Sequence, residues 1–141
     1  MSSFRVFYVF GILENMKTIK VGINGFGRIG RAFLKVAWDR PEIEIVAVND
    51  LGDVANMAYL LKYDTVYRHW AHDISTSGQN IIIDGKNVKV LAEKDPSALP
   101  WKDLGVDVVV ESTGLFTSYD KAEAHIKAGA KKVVISAPSK G

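Results

Sequence analysis

One stretch constrains the fold of this chain more than any other: Lys20-Val21-Gly22-Ile23-Asn24-Gly25-Phe26-Gly27-Arg28-Ile29-Gly30-Arg31. An apolar strand breaks into closely spaced glycines and resumes as a helical pattern. Gly25, Gly27 and Gly30 form Gly-x-Gly-x-x-Gly across that junction. The first glycine allows a tight turn, the second lets a pyrophosphate approach the backbone, and the third lets helix and sheet pack closely. The helix N-terminus then offers free N–H groups and partial positive charge to phosphate, chiefly at Arg28 and Ile29. Asn24 is placed to hydrogen-bond within the turn.

Three glycines can also make an ordinary turn, so the context decides. Asp50 ends the next apolar run, 20 residues after Gly30. A carboxylate there accepts both hydroxyls of an adenosine ribose and repels a 2′-phosphate, which selects NAD over NADP. The alternative is that Asp50 merely caps a loop.

Around this unit the pattern alternates. Ile29, Phe33, Val36 and Ala37 are spaced as the buried face of a helix that Pro41 stops. Glu42 to Val48 becomes almost wholly apolar, as an interior parallel strand should. Asp53 is an N-cap for a helix carrying Val54, Met57, Ala58, Leu60 and Leu61. His69 to Gly78 reads as polar and irregular. Gln79 to Ile83 and Asn87 to Leu91 flank Asp84-Gly85 as a hairpin. Val106 to Val110 is a second central strand, and a helix over Lys121 to Ala128 closes at Gly129. Lys132 to Ile135 is the last strand. The order predicts an α/β fold: an open, mostly parallel sheet with helices on both faces. Ser112-Thr113-Gly114 and Ser136-Ala137 follow strands, where such sheets bind ligands, although either can be turn material.

Composition narrows the chemistry. The 141 residues hold no cysteine, which excludes disulfides, cysteine-based zinc sites and thiol nucleophiles within them. A formal charge of +2, with no basic cluster interleaved with aromatics, gives no signal for nucleic acid. Phe4 to Leu13 is apolar but too short to span a bilayer, and Glu14-Asn15 makes a poor signal-peptide cleavage region. Residues 1–15 read as an extension or upstream start ahead of Met16, with an added edge strand as the alternative, and residues 16–141 as one domain.

Other candidates carry less. Asp73, Asp84, Glu93 and Asp95 read as solvated loop charge, and His69 with His72 as a weak zinc pair. His125, beside Lys and Glu residues, reads as a surface histidine. Ser112 and Ser136 lack a Gly-x-Ser-x-Gly elbow or an acid–histidine pair. Trp38, Trp70 and Trp101 read as packing residues.

From Lys17 to Gly141 the chain resembles the N-terminal, NAD-binding part of phosphorylating glyceraldehyde-3-phosphate dehydrogenases. The likeness rests on Ile19 to Arg31, Asn49-Asp50, Tyr59 to Tyr67, Asp95-Pro96, Leu99-Pro100-Trp101, Glu111 to Phe116 and Lys131 to Gly141. Erythrose-4-phosphate dehydrogenases are the nearest competing family. The resemblance implies a Rossmann-type domain in a cytoplasmic, glycolytic oxidoreductase. It assigns pyrophosphate contacts to Arg28 and Ile29, the ribose to Asp50 and a place near adenine to Lys94. Ser112, Thr113 and Gly114 lie beside the cofactor and Ser136 near the nicotinamide end, with Phe26 and Phe116 as apolar lining.

In that family a cysteine attacks the aldehyde to give a thiohemiacetal. Hydride transfer then leaves a thioester that phosphate cleaves to 1,3-bisphosphoglycerate. That cysteine, its histidine partner and the long C-terminal helix that packs against the cofactor domain match nothing in these residues. The expectation is a truncated domain, inactive alone, with apolar surface left bare for a homo-oligomer or a complementing catalytic domain. A non-catalytic dinucleotide-binding or assembly module is the alternative.

Overall fold

A computed structural model describes residues 17–64, 68–116 and 118–136. The reading of residues 1–15 and that of Ala137 lie outside the described residues.

The sheet begins with β1 (Ile19–Asn24), whose glycine turn leads into helix α1 (Arg28–Trp38). Strand β2 (Ile43–Asn49) follows, then α2 (Val54–Lys62), whose first turn is capped by the Asp53 carboxylate accepting from the Asn56 N–H. After the two-residue strands β3 (Tyr63–Asp64) and β4 (Arg68–His69) come β5 (Ile74–Ser77), β6 (Asn80–Ile83) and β7 (Lys86–Leu91). The chain then forms β8 (Val108–Glu111), α3 (Tyr119–Lys127) and β9 (Lys132–Ile135).

The seven-stranded sheet runs in the order β5-β6-β7-β2-β1-β8-β9. Strands β7, β2, β1, β8 and β9 are parallel, and β5 and β6 join antiparallel at one edge. Connections leave β1 toward β2 on one side, whereas β8 pairs on the other. The strand order therefore reverses between β1 and β8, opening a crevice beyond their carboxyl ends where sheets of this kind take ligands.

The sheet buries both faces, which is why its central strands are nearly continuous apolar runs. On one face Val21, Ile23, Val48 and Val110 pack against Leu34 and Ala37 of α1 and Met57 and Leu61 of α2. On the other, Ala47 and Val109 pack with Leu99, Trp101, Val106 and Ala130. Trp101 reaches the backbone of β1 because residue 22 is glycine. A Cβ there would lie 2.6 Å from the indole ring.

Two expectations need correction. The buried positions of α1 are Gly30, Leu34 and Ala37, with Phe33 and Trp38 partly covered. Ile29 is 57% and Val36 69% exposed, because the glycine turn sets the helix's rotation on the sheet and apolar spacing alone does not. The polar stretch before the hairpin contains β5, an edge strand with only Ile74 directed at the core. At this edge Ser75, Thr76 and Ser77 are exposed, so neither face demands apolar alternation. The hairpin itself is as expected: Asp84 (φ 51°) and Gly85 (φ 80°) both take positive φ, as a two-residue Asp-Gly turn requires.

Candidate functional site

The carboxyl ends of β1, β2 and β8 bring together the glycine turn, Asp50 and residues 112–116. Gly25 adopts φ +92°, closed to most side chains, and a Cβ on it would lie 2.7 Å from the Thr113 nitrogen. A Cβ on Gly30 would lie 2.2 Å from the Gly25 carbonyl oxygen. Gly27 differs: nothing lies within 4 Å of its would-be Cβ, so its exposed face is open.

Gly27 is also the N-cap of α1, with no side-chain cap and no acidic residue in the first turn. The N–H groups of that turn have no intrahelical partner and face the crevice with the helix's positive end. Arg31 reaches back to donate to the Phe26 carbonyl at 3.0 Å, while its buried Nε has no partner among the described residues. An open, uncapped helix start of this kind fits a pyrophosphate.

Asp50 sits above the turn. One carboxylate oxygen accepts the Phe26 N–H at 2.8 Å and the other accepts the Gly52 N–H at 2.9 Å. Each oxygen keeps a free lone pair, so the group can still accept ribose hydroxyls while its orientation is fixed.

Ser112 closes the turn from β8. Its hydroxyl donates to the Gly25 carbonyl at 2.6 Å, and the Asn24 carbonyl lies 3.1 Å away. Gly114 follows at φ +75° and is exposed, with Phe116 half-buried beyond it. Ser136, at the end of β9, donates through its hydroxyl and its N–H to the Glu111 carbonyl, each at 3.0 Å. Lys94 is exposed beyond the end of β7.

Two of the expected site residues turn inward. Phe26 is 2% exposed and its ring belongs to the main core, so it offers only backbone to the crevice and is not apolar lining. Asn24 is buried too, and its amide does not bond within the turn. It donates to the Glu111 carboxylate at 2.7 Å and accepts from Asn49 at 2.7 Å.

Those bonds belong to a buried polar network that sequence reasoning missed. Asn49 continues it by pairing with both backbone groups of Glu93, at 2.8 and 2.9 Å. In the other direction the Glu111 carboxylate accepts from His125 Nε2 at 2.6 Å, and His125 Nδ1 accepts the Trp101 indole N–H at 3.0 Å. His125 is fully buried, so its reading as a surface residue is overturned. The spacing carried a signal: His125 lies three residues after Ala122, on the buried face of α3. The Glu111 carboxylate also accepts the Thr113 N–H at 3.1 Å and hydroxyl at 2.5 Å. Burial opposes charge on Glu111, but hydrogen bonds from His125, Thr113 and Asn24 outweigh it and hold the carboxyl below its ordinary value.

The remaining candidates lie elsewhere. His72 bridges Asp84 at 2.5 Å and Asp39 at 3.4 Å, while the His69 ring lies tilted against Tyr63, and neither is on a helix. Among the described residues, no three His, Asp or Glu side chains converge as a metal-binding group. Asp84 is not merely solvated, since it also accepts the Asp73 N–H at 3.0 Å. No helix among the described residues is long and apolar enough to cross a membrane.

A doubly wound sheet, a glycine turn at its crossover and a carboxylate anchored at the end of β2 define a dinucleotide-binding α/β domain of the Rossmann type. Residues 19–119 match the family model described as the NAD binding domain of glyceraldehyde 3-phosphate dehydrogenase. The chain belongs to that family. It is 55% identical over 124 residues to a glyceraldehyde-3-phosphate dehydrogenase of Thermotoga maritima, covering 86% of this chain and 37% of the relative. The corresponding enzyme of Geobacillus stearothermophilus is 54% identical over 122 residues, 86% of this chain and 36% of its own. That of Streptomyces coelicolor is 56% identical over 124 residues, 87% and 37% respectively. The chain thus spans little more than a third of the length of these relatives.

Proposed function

We propose that residues 16–141 form the cofactor-holding domain of a phosphorylating glyceraldehyde-3-phosphate dehydrogenase. The observation that supports this most is the uncapped start of α1 at Gly27 beside the anchored Asp50 carboxylate. In this reading the N–H groups of Arg28 and Ile29 take the pyrophosphate and Asp50 takes the adenosine ribose. Ser112, Thr113, Gly114 and Phe116 flank the cofactor, Ser136 lies toward the nicotinamide and Lys94 toward the adenine. Asn24, Gly25 and Phe26 serve through the backbone they shape.

NAD, when bound, supplies the hydride acceptor for aldehyde oxidation. The 141 residues contain no cysteine, so a thioester must form on a thiol outside them. These residues therefore hold and orient the cofactor, in the cytoplasm, while acyl transfer requires a complementing catalytic domain that carries the thiol; a homo-oligomer of these residues covers apolar surface without supplying one. The same lack of a thiol favours a second reading, a dinucleotide-binding or assembly module with no turnover.

Calorimetric titration with NAD and NADP tests the cofactor site. NAD should bind in preference to NADP, and Asp50→Ala should weaken NAD about tenfold or more, a loss of about 1.4 kcal/mol. Unchanged NAD affinity in that variant would overturn the ribose assignment. A coupled assay with aldehyde, NAD and phosphate should show no turnover by the isolated chain.

A further inference from the structure

The buried network beneath the crevice has a fixed pattern of protons. An indole nitrogen can only donate, so the Trp101 N–H at 3.0 Å leaves His125 Nδ1 as an acceptor. The single ring proton is then on Nε2, which donates to Glu111 at 2.6 Å. His125 is neutral, and its contact with Glu111 is a neutral donor facing a carboxylate.

Glu111 receives donors at both oxygens: Asn24 and His125 at one, the Thr113 N–H and hydroxyl at the other. Only the ionised form accepts all four. No Lys or Arg is bonded to it among the described residues, so the charge is held by oriented neutral donors. Such a group is costly to bury and is satisfied in one arrangement of its surroundings.

That arrangement joins both cofactor-facing segments. Asn24 directly precedes Gly25, and Thr113 in turn accepts the Leu115 N–H at 3.1 Å. We infer that Glu111, oriented by His125 and Trp101, is a positioning residue that locks the glycine turn and residues 112–115 into the geometry that accepts NAD. The inference rests on the cofactor reading above. Trp101 and His125 lie behind the strand ends, fully buried, and reach the cofactor-facing segments through Glu111 and through Asn24, whose amide nitrogen lies 3.4 Å from His125 Nε2.

The test compares His125→Gln, which retains a donor toward Glu111, with His125→Leu, which removes it at similar volume. Amide hydrogen exchange at Thr113 and Leu115, referenced to Ile45 and Val48 in β2, reads loop positioning without cofactor. In His125→Leu the loop amides should exchange about tenfold faster than the reference and NAD should bind about tenfold more weakly, with both restored in His125→Gln. Equal loop exchange and NAD affinity in all three proteins would overturn the inference. So would acceleration at β2 matching that at the loop, which is global destabilisation.

Should His125→Leu fail to fold, Trp101→Phe, which removes the indole donor to His125 Nδ1, takes its place with the same two readouts. Faster loop exchange and weaker NAD binding are expected, and unchanged values of both would overturn the inference. An unmodified chain that binds no NAD, yet shows the loop-specific exchange difference, would sink the cofactor reading and support the coupling.

Discussion

The Ser112 hydroxyl donates to the carbonyl oxygen of Gly25 at 2.6 Å, tying the end of β8 to the turn after β1 across 87 positions of sequence. A serine read from sequence as cofactor lining is therefore also a clamp on the turn. Ser112→Ala should cost about 1 kcal/mol of stability, the worth of one partly buried hydrogen bond. Urea unfolding measures it, and an unchanged midpoint and slope would show that the clamp contributes nothing.

Gly27 and Gly30 separate binding from folding. Gly30→Ala drives a methyl to within 2.2 Å of the Gly25 carbonyl and should destabilise the chain by about 1–3 kcal/mol. Gly27→Ala meets open space and should cost less than about 1 kcal/mol as an N-cap change. Its methyl nevertheless occupies the approach to the helix N-terminus, so NAD should bind about tenfold more weakly. Thermal melts paired with calorimetry check both. Wild-type NAD affinity in Gly27→Ala would remove the pyrophosphate from this position.

The observed buried face of α1 and the one expected from apolar spacing make opposite demands. Leu34 is fully buried, so Leu34→Ala should cost about 2–5 kcal/mol. Val36 is largely exposed, and Val36→Ala should stay within about 0.5 kcal/mol. Denaturant titration of both variants distinguishes the observed helix rotation from the one that apolar spacing suggests. Similar losses at the two positions would contradict the structure.

Glu111 gives stability a definite acid dependence. Burial alone would raise its carboxyl, but hydrogen bonds from His125, Thr113 and Asn24 hold it below the ordinary 4.5. A depressed folded-state value means the contribution is complete above the unfolded value near 4.5 and is lost as pH falls through the folded one. Glu111→Gln should make the fall in stability below about pH 4.5 shallower. It should not flatten it. Asp84, lowered chiefly by His72, and Asp107, lowered chiefly by the Lys20 N–H, keep their own dependence. Unfolding free energies at neutral and acid pH would test this, and parallel curves for the two proteins would refute it.

What could be read from the sequence was local. Gly25, the Asp84-Gly85 turn and the Asp53 cap each state a backbone requirement within a few residues of themselves. Asp50 was found because strand length and a helix crossover fix its distance from the glycines. The edge strand β5 escaped because only Ile74 meets the core, and its exposed residues need no apolar alternation. The rotation of α1 escaped because it depends on how Gly30 seats the helix against the Gly25 carbonyl.

The sequence by itself determined a strand–turn–helix able to hold a dinucleotide, and through its matched stretches the family to which that unit belongs. Tertiary structure alone decided the inner layer: Trp101, His125, Glu111, Asn24 and Asn49 come from five separate segments and carry no common motif. The reason is physical. A buried carboxylate is tolerated only where donors converge on it, and that convergence exists only after β1, β8 and α3 have packed.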